Sequence, residues 1–258
     1  MKKKVGIFYI ATGLYPVFWL DFFSSSEAKF LPFGEYEKHY FLFSDVDNLE
    51  HENNPRVHKF YQEALPWPFI TLDRFAIFKK AYEIASEMDY LYFFNANALF
   101  VAEVDCQILP CQDQPLVFVK HPGFYNKNRS EFTYESNPRS SAAMSPAEGK
   151  FYFMGGVNGG VTSAYLEMIS WLDAQIQKDK IKGITSVWHD ESHLNRYAVD
   201  NEFHIKVLDP DYGYPEGWYL PFEPKVIIRD KRKYGGHKFL RQENIPFFGK
   251  VMSFFKQV

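Results

Sequence analysis

The chain has little of what marks several large protein classes. Only two of its 258 residues are cysteines, Cys106 and Cys111. That is too few for a disulfide framework or a four-thiolate zinc site, so a reducing, cytoplasmic setting is expected. No run of about 18 uninterrupted apolar residues occurs, which excludes an obvious membrane helix. Neither sign of charge dominates. Lys plus Arg number 29 against 32 Asp plus Glu, a formal net charge of -3, and a general nucleic-acid or anionic-membrane binder would be more basic. There is no internal repeat, Rossmann fingerprint or P-loop. Met1-Lys2-Lys3-Lys4 ahead of Val5 to Leu20 has the outline of a signal peptide. Gly13 and Pro16 interrupt it, however, and Asp21-Phe22-Phe23-Ser24 offers no small-x-small cleavage site, so a first strand is the better reading.

Aromatic residues are abundant: 27 Phe, 17 Tyr and 5 Trp make up 19% of the chain. Most must be core, because aromatic rings dominate burial. A minority on loops could serve as platforms for a sugar ring or a base.

Val5 to Ala11 and Tyr40 to Phe43 read as buried strands ending in polar loops, with a helix from about Pro16 between them. Apolar spacing predicts helices over Thr71 to Met88, Thr162 to Lys178 and Asp190 to Asn201, and Tyr90 to Phe94 reads as a central strand. This alternation argues for an α/β protein with a mainly parallel sheet. His121 to Lys150 is a long polar excursion whose composition suits a lid. From Lys225 to Arg241 there are seven Lys or Arg, including Arg229, Lys231 and Lys233, with Asp230 the lone acid. Such a tail suits an anionic partner, though a solvated terminus would look the same.

Three segments carry polar chemistry. Asn95-Ala96-Asn97 stands where a strand should end at the carboxyl edge of the sheet, the edge at which open α/β sheets bind ligands; a self-bonded turn is the plain alternative. Gly155-Gly156 and Gly159-Gly160 permit close backbone approach or a tight strand-to-helix turn. Trp188 to Asn195 is the densest polar cluster and admits three readings. Asp190 is a helix N-cap with Glu191 in the first turn, or His189 and His193 form a zinc pair at a spacing of four, or Asp190 and Glu191 are carboxylates facing a sugar.

Taken in order, the runs His121-Pro122-Gly123-Phe124-Tyr125, Phe132-Thr133-Tyr134-Glu135, Phe151-Tyr152 with both glycine doublets, Gly183-Ile184 with Val187 to Asn195, and Lys206-Val207-Leu208 resemble one family. It is the retaining glycosyltransferase family of the histo-blood-group A and B transferases and the α-1,3-galactosyltransferase. The resemblance covers Val5 to about Tyr212. It implies an A-type glycosyltransferase (GT-A) fold, a UDP-sugar of the galactose series, and α-1,3 transfer to a galactose that often carries an α-1,2-fucose. The catalytic domain is expected over 1–224, with a donor part at about 1–115, an acceptor part at about 116–224, and a basic tail over 225–258 closing on UDP. The anchor and stem of the animal enzymes have no counterpart, which suggests a soluble, bacterial-type member.

By this resemblance Glu191 is the catalytic carboxylate and Asp190 accepts from a donor-sugar hydroxyl. Ile10, Ala11, Tyr15 and Arg74 border the donor. His121, Thr133 and Trp188 touch the acceptor, together with Glu191. Met154-Gly155-Gly156 lies against the donor C2 substituent, where the small Gly156 favours UDP-N-acetylgalactosamine and Met154 leans toward UDP-galactose.

Asn95-Ala96-Asn97 departs from the family's metal-holding Asp-x-Asp, and neutral amides attract manganese or magnesium weakly. No metal cofactor is therefore expected. Lys231, helped by Arg241, is expected to neutralise the leaving diphosphate instead. A zinc hydrolase on His189 and His193, or a sugar-binding module without catalysis, are the competing classes. No nucleic-acid partner is expected.

Overall fold

A computed structural model describes residues 2–32 and 34–243, so the end of the expected tail, 244–258, lies outside the described residues. The strands are β1 (Lys3–Ile10), β2 (Tyr36–Ser44), β3 (Val57–Tyr61), β4 (Tyr90–Phe94), β5 (Ala98–Phe100), β6 (Leu116–Lys120), β7 (Phe153–Val161), β8 (Ile205–Leu208), β9 (Tyr214–Pro215) and β10 (Val226–Ile228). The helices are α1 (Trp19–Lys29), α2 (Phe69–Leu72), α3 (Arg74–Phe78), α4 (Tyr82–Ala85), α5 (Thr162–Ile181), α6 (Asp190–Asp200) and α7 (Gly236–Leu240).

Seven strands form one mixed sheet in the order β3-β2-β1-β4-β7-β6-β8, consistent with the GT-A fold. β1 to β4 pair in parallel, as alternating strands and helices require, whereas β7 runs antiparallel to both β4 and β6. That reversal positions the site. The carboxyl ends of β1 and β4 carry Ile10 to Thr12 and Asn95 to Asn97, and because β7 enters from the same edge, Gly155 and Gly156 stand beside them; Asn95 N donates to Gly156 O at 2.8 Å.

Both faces of the sheet are buried, as expected for strands this apolar. Alternate residues enter opposite layers: Ile7, Tyr9, Tyr92 and Phe94 pack with α1, and Phe8, Leu91 and Phe93 pack with α3 and α5. Phe8 lies 4.5 Å from Phe78, ring centre to ring centre. Each such ring withdrawn from water contributes roughly 1.5–3 kcal/mol.

One expectation needs correction, and two further segments are held more firmly than the sequence alone conveys. The helix expected over Thr71 to Met88 is broken into short turns, with Asp73 and Ala81 in the bridge conformation between them. The break at Asp73 sends its carboxylate outward to Lys180 Nζ, 2.5 Å away, and turns Arg74 inward to the site. The excursion is pinned at its middle rather than hanging as a free lid. Asp179 of α5 accepts from Ser140 Oγ at 2.6 Å and from Ser141 N at 2.8 Å, while Glu135 Oε2 accepts from Val187 N at 2.7 Å. The chain after residue 224 likewise does not begin as a loose tail: β10 pairs with β5 and β9 in a second, three-stranded sheet.

Candidate functional site

A cavity of about 340 Å³ opens at the carboxyl edge of β1 and β4, within the range of small-molecule sites. Its floor is Gly155, Gly156 and Arg74. Its walls carry Asp190 and Glu191 together with Tyr15, Trp67, Lys231, His237 and Arg241.

The acid pair is set by the start of α6. His189 precedes the helix at φ 55°, a strained backbone for a non-glycine residue, so Asp190 and Glu191 fall in the first turn, where the helix dipole favours negative charge. Asp190 is therefore not the N-cap, and no side chain caps this helix. Asp190 is buried, with Arg74 Nη2 3.1 Å from its Oδ2. The contact is an ion pair without hydrogen-bond alignment, because Oδ2 has no hydrogen-bond partner. Burial pushes the Asp190 carboxyl up to about 6 despite Arg74. Glu191 Oε2 accepts from Gly155 N at 2.7 Å, and the Tyr152 hydroxyl nearby works with it to favour the charged carboxylate. Burial pushes Glu191 up to about 7, and the neighbouring Asp190 adds to that rise. Arg74 Nη1 also donates to Gly155 O, so one guanidinium braces both the glycine and Asp190.

The same cavity also carries cations. Lys231 Nζ lies 5.2 Å from the Tyr15 ring centre, and Arg241 Cζ lies 3.8 Å from that of Trp67. Burial, with Arg241 and Arg74 nearby, lowers Lys231 to about 8. Trp67 in turn packs its ring edgewise on His189, 4.7 Å between centres. The cavity thus brings buried carboxylates, clustered cations and aromatic rings to one place.

Comparison with known proteins places this arrangement. The family described as Glycosyltransferase family 6 matches residues 1–233. The chain belongs to glycosyltransferase family 6. It is 32% identical over 237 residues to the O-antigen biosynthesis glycosyltransferase WbnI of Escherichia coli, covering 91% of this chain and 99% of the relative. Identity to the human globoside alpha-1,3-N-acetylgalactosaminyltransferase 1 is 30% over 238 residues, covering 88% of this chain and 65% of that protein. The rat histo-blood group ABO system transferase 1 is 37% identical over 135 residues, or 51% of this chain and 37% of the relative.

In this family 6 glycosyltransferase, Ile10, Tyr15, Arg74, Asn95, Asn97, Gly155, Gly156, Trp188, Asp190, Glu191, Lys231 and Arg241 all line the cavity, as their expected roles require. Four expected contacts, Ala11, Met154, His121 and Thr133, do not line it. Ala11 is sealed in the core, Met154 packs behind Gly156 and against Gly213, and His121 Nδ1 accepts from Gly123 N at 3.0 Å. Thr133 reaches the site through a neighbour, accepting from Trp188 Nε1 at 2.8 Å.

The two histidines of the zinc reading separate: His189 meets Trp67, whereas His193 is buried beside Asp179, Nε2 to Oδ2 3.7 Å. Asn97 is not self-bonded either. Its Nδ2 donates to Arg229 O at 2.6 Å, and Arg229 N donates back to Asn97 O at 2.9 Å. Trp67, His237 and Tyr152 were not singled out as site residues from sequence. Trp67 sits in a turn and His237 in a five-residue helix too short to show a period, and only the fold brings them to the cavity.

Proposed function

We propose that the chain is a retaining α-1,3-glycosyltransferase that moves N-acetylgalactosamine from UDP-N-acetylgalactosamine to the galactose of a fucosyl-α-1,2-galactose acceptor, without a metal. The observation that carries this reading is the pairing of buried carboxylates and clustered cations in one cavity. A sugar fits beside Asp190 and Glu191, and a diphosphate fits beside Lys231 and Arg241. The human globoside relative is named for the same α-1,3 transfer of N-acetylgalactosamine.

In this mechanism Asp190 Oδ2, buried and without a hydrogen-bond donor, accepts from a hydroxyl of the donor sugar. Glu191, steadied by Gly155 N and Tyr152, faces the anomeric carbon and either bonds to it or stabilises its positive charge as UDP departs. The electron pair of the broken bond goes to the diphosphate, where Lys231 and Arg241 balance it. Trp188, set by Thr133, forms the acceptor side.

Asn95 and Asn97 do not suit manganese. Both offer only neutral amide oxygens, and the Asn97 amide is held by Arg229, so the anionic oxygen set that such ions prefer is missing. UDP-galactose is the second reading, favoured by Met154, whose Cε lies 3.0 Å from where a Cβ on Gly156 would stand.

The test is release of UDP from UDP-N-acetylgalactosamine with a fucosyl-α-1,2-galactose acceptor in excess EDTA. Acceptor-dependent turnover is expected. Turnover only after adding manganese would overturn metal independence, and turnover with UDP-galactose alone would select the second donor.

A further inference from the structure

His237 lines the cavity between two cations already described, yet neither the expected roles nor the mechanism above uses it. It is the second residue of α7, and Gly235 and Gly236 before it, both at positive φ (88° and 83°), turn the chain after the 3-10 turn Lys231–Tyr234. Its Nδ1 stands 3.5 Å from Arg241 Nη2. A neutral imidazole can sit between two positive side chains at modest cost, whereas an imidazolium there is repelled until an anion arrives.

We infer that His237 is a third diphosphate-binding residue, neutral while the cavity is empty and protonated when the nucleotide's diphosphate enters. The inference rests on the donor reading above and adds a proton to it: nucleotide binding takes one up from solvent, and the imidazolium donates a charge-assisted hydrogen bond to a phosphate oxygen.

The surrounding charges support this. Partial burial holds the His237 imidazole below its usual range, and Lys231 and Arg241 push in the same direction. The acids Asp230 and Glu243 oppose the shift without reversing it. A diphosphate placed among Lys231, Arg241 and His237 reverses the local sign, so the bound imidazole gains its proton near neutral pH. The consequence is that affinity for the nucleotide falls as pH rises through the range where the bound imidazole titrates. Lys231, lowered to about 8, loses its charge at higher pH and adds a second, separate decline.

The test uses the whole chain in EDTA with UDP as the probe. The His237 ring signal is assigned by NMR from its absence in His237→Asn, and the imidazole is titrated with and without UDP. It is expected to titrate below its ordinary value in the free protein and to move upward when UDP is bound, and His237→Asn is expected to weaken UDP roughly tenfold at pH 6.5. Thermal unfolding of His237→Asn and His237→Gln separates a folding defect from a binding one. UDP that binds wild type without moving the His237 titration, or that binds both variants as tightly as wild type, overturns the inference and leaves the donor reading standing. UDP that does not bind wild type overturns both.

Discussion

Arg74 and Asp190 face each other across the cavity floor, Nη2 3.1 Å from Oδ2, with both side chains almost fully withdrawn from water. The same guanidinium holds the Gly155 carbonyl and lies 4.3 Å from the Phe93 ring centre. It therefore ties α3, β4, β7 and α6 together at the place where the sugar should sit.

A lysine at 74 keeps the charge but has no planar fork to serve Gly155 and Asp190 at once. Arg74→Lys is expected to lower kcat/KM about a hundredfold with little change in melting. Arg74→Ala should cost in addition about 3–5 kcal/mol of stability, because Asp190 is left buried without its partner. Steady-state kinetics with urea unfolding checks both, and full activity in Arg74→Lys would show that charge alone suffices.

The rate should be bell-shaped in pH. Glu191 acts as a carboxylate and its raised value lies at about 7, so kcat/KM is lost as pH falls through that value. Lys231 acts as a cation and its lowered value lies at about 8, so kcat/KM is lost again as pH climbs past it. Glu191→Gln should reduce transfer by roughly three orders of magnitude or more while still binding UDP. Lys231→Arg should move the alkaline limb upward. A flat profile from pH 6 to 9 would separate these two groups from the rate-limiting chemistry.

A Cβ on Gly156 would come within 2.6 Å of Asn95 Nδ2 and 3.0 Å of Met154 Cε. Gly156→Ala must therefore displace the Asn95 amide toward the cavity and narrow it. The expected outcome is a shift of about tenfold toward UDP-galactose in the ratio of kcat/KM values, in keeping with what one methyl group usually discriminates. An unchanged ratio would remove Gly156 from donor choice.

Asp179 offers a prediction about stability rather than rate. Burial alone would raise its carboxyl, but the hydrogen bonds from Ser140 and Ser141 prevail and hold it below the usual carboxylate range. Its contribution is present above the unfolded value and is lost as pH falls through the lower folded one. Asp179→Asn should lower the melting temperature by roughly 3–8 °C at pH 7 and by much less in acid. An equal loss at both pH values would show that shape, not charge, anchors the excursion.

The β1, β2 and β4 strands were readable from sequence because their apolar runs bury both faces, and α5 and α6 because their periods are long. Thr71 to Met88 misled, since its apolar spacing is helical while the pull of Arg74 toward Gly155 breaks the helix, a long-range contact that no local pattern records. The acid pair at 190 and 191 was visible as a dense polar cluster, but its role as a dipole-supported buried pair, instead of a cap, depends on the strained turn at His189. Trp67 and His237 could not be placed at all, because they are 170 residues apart and meet only around one cavity.

The Asn97 clamp on Arg229 also bears on how this enzyme could change. An aspartate at 97 would supply the anionic ligand that a divalent ion wants, but it would have no N–H to give the Arg229 carbonyl. It would set a buried negative oxygen against that carbonyl at the root of the strand that leads to Lys231. Holding an ion at 97 and holding the segment that carries Lys231 in place therefore make opposite demands on a single side chain.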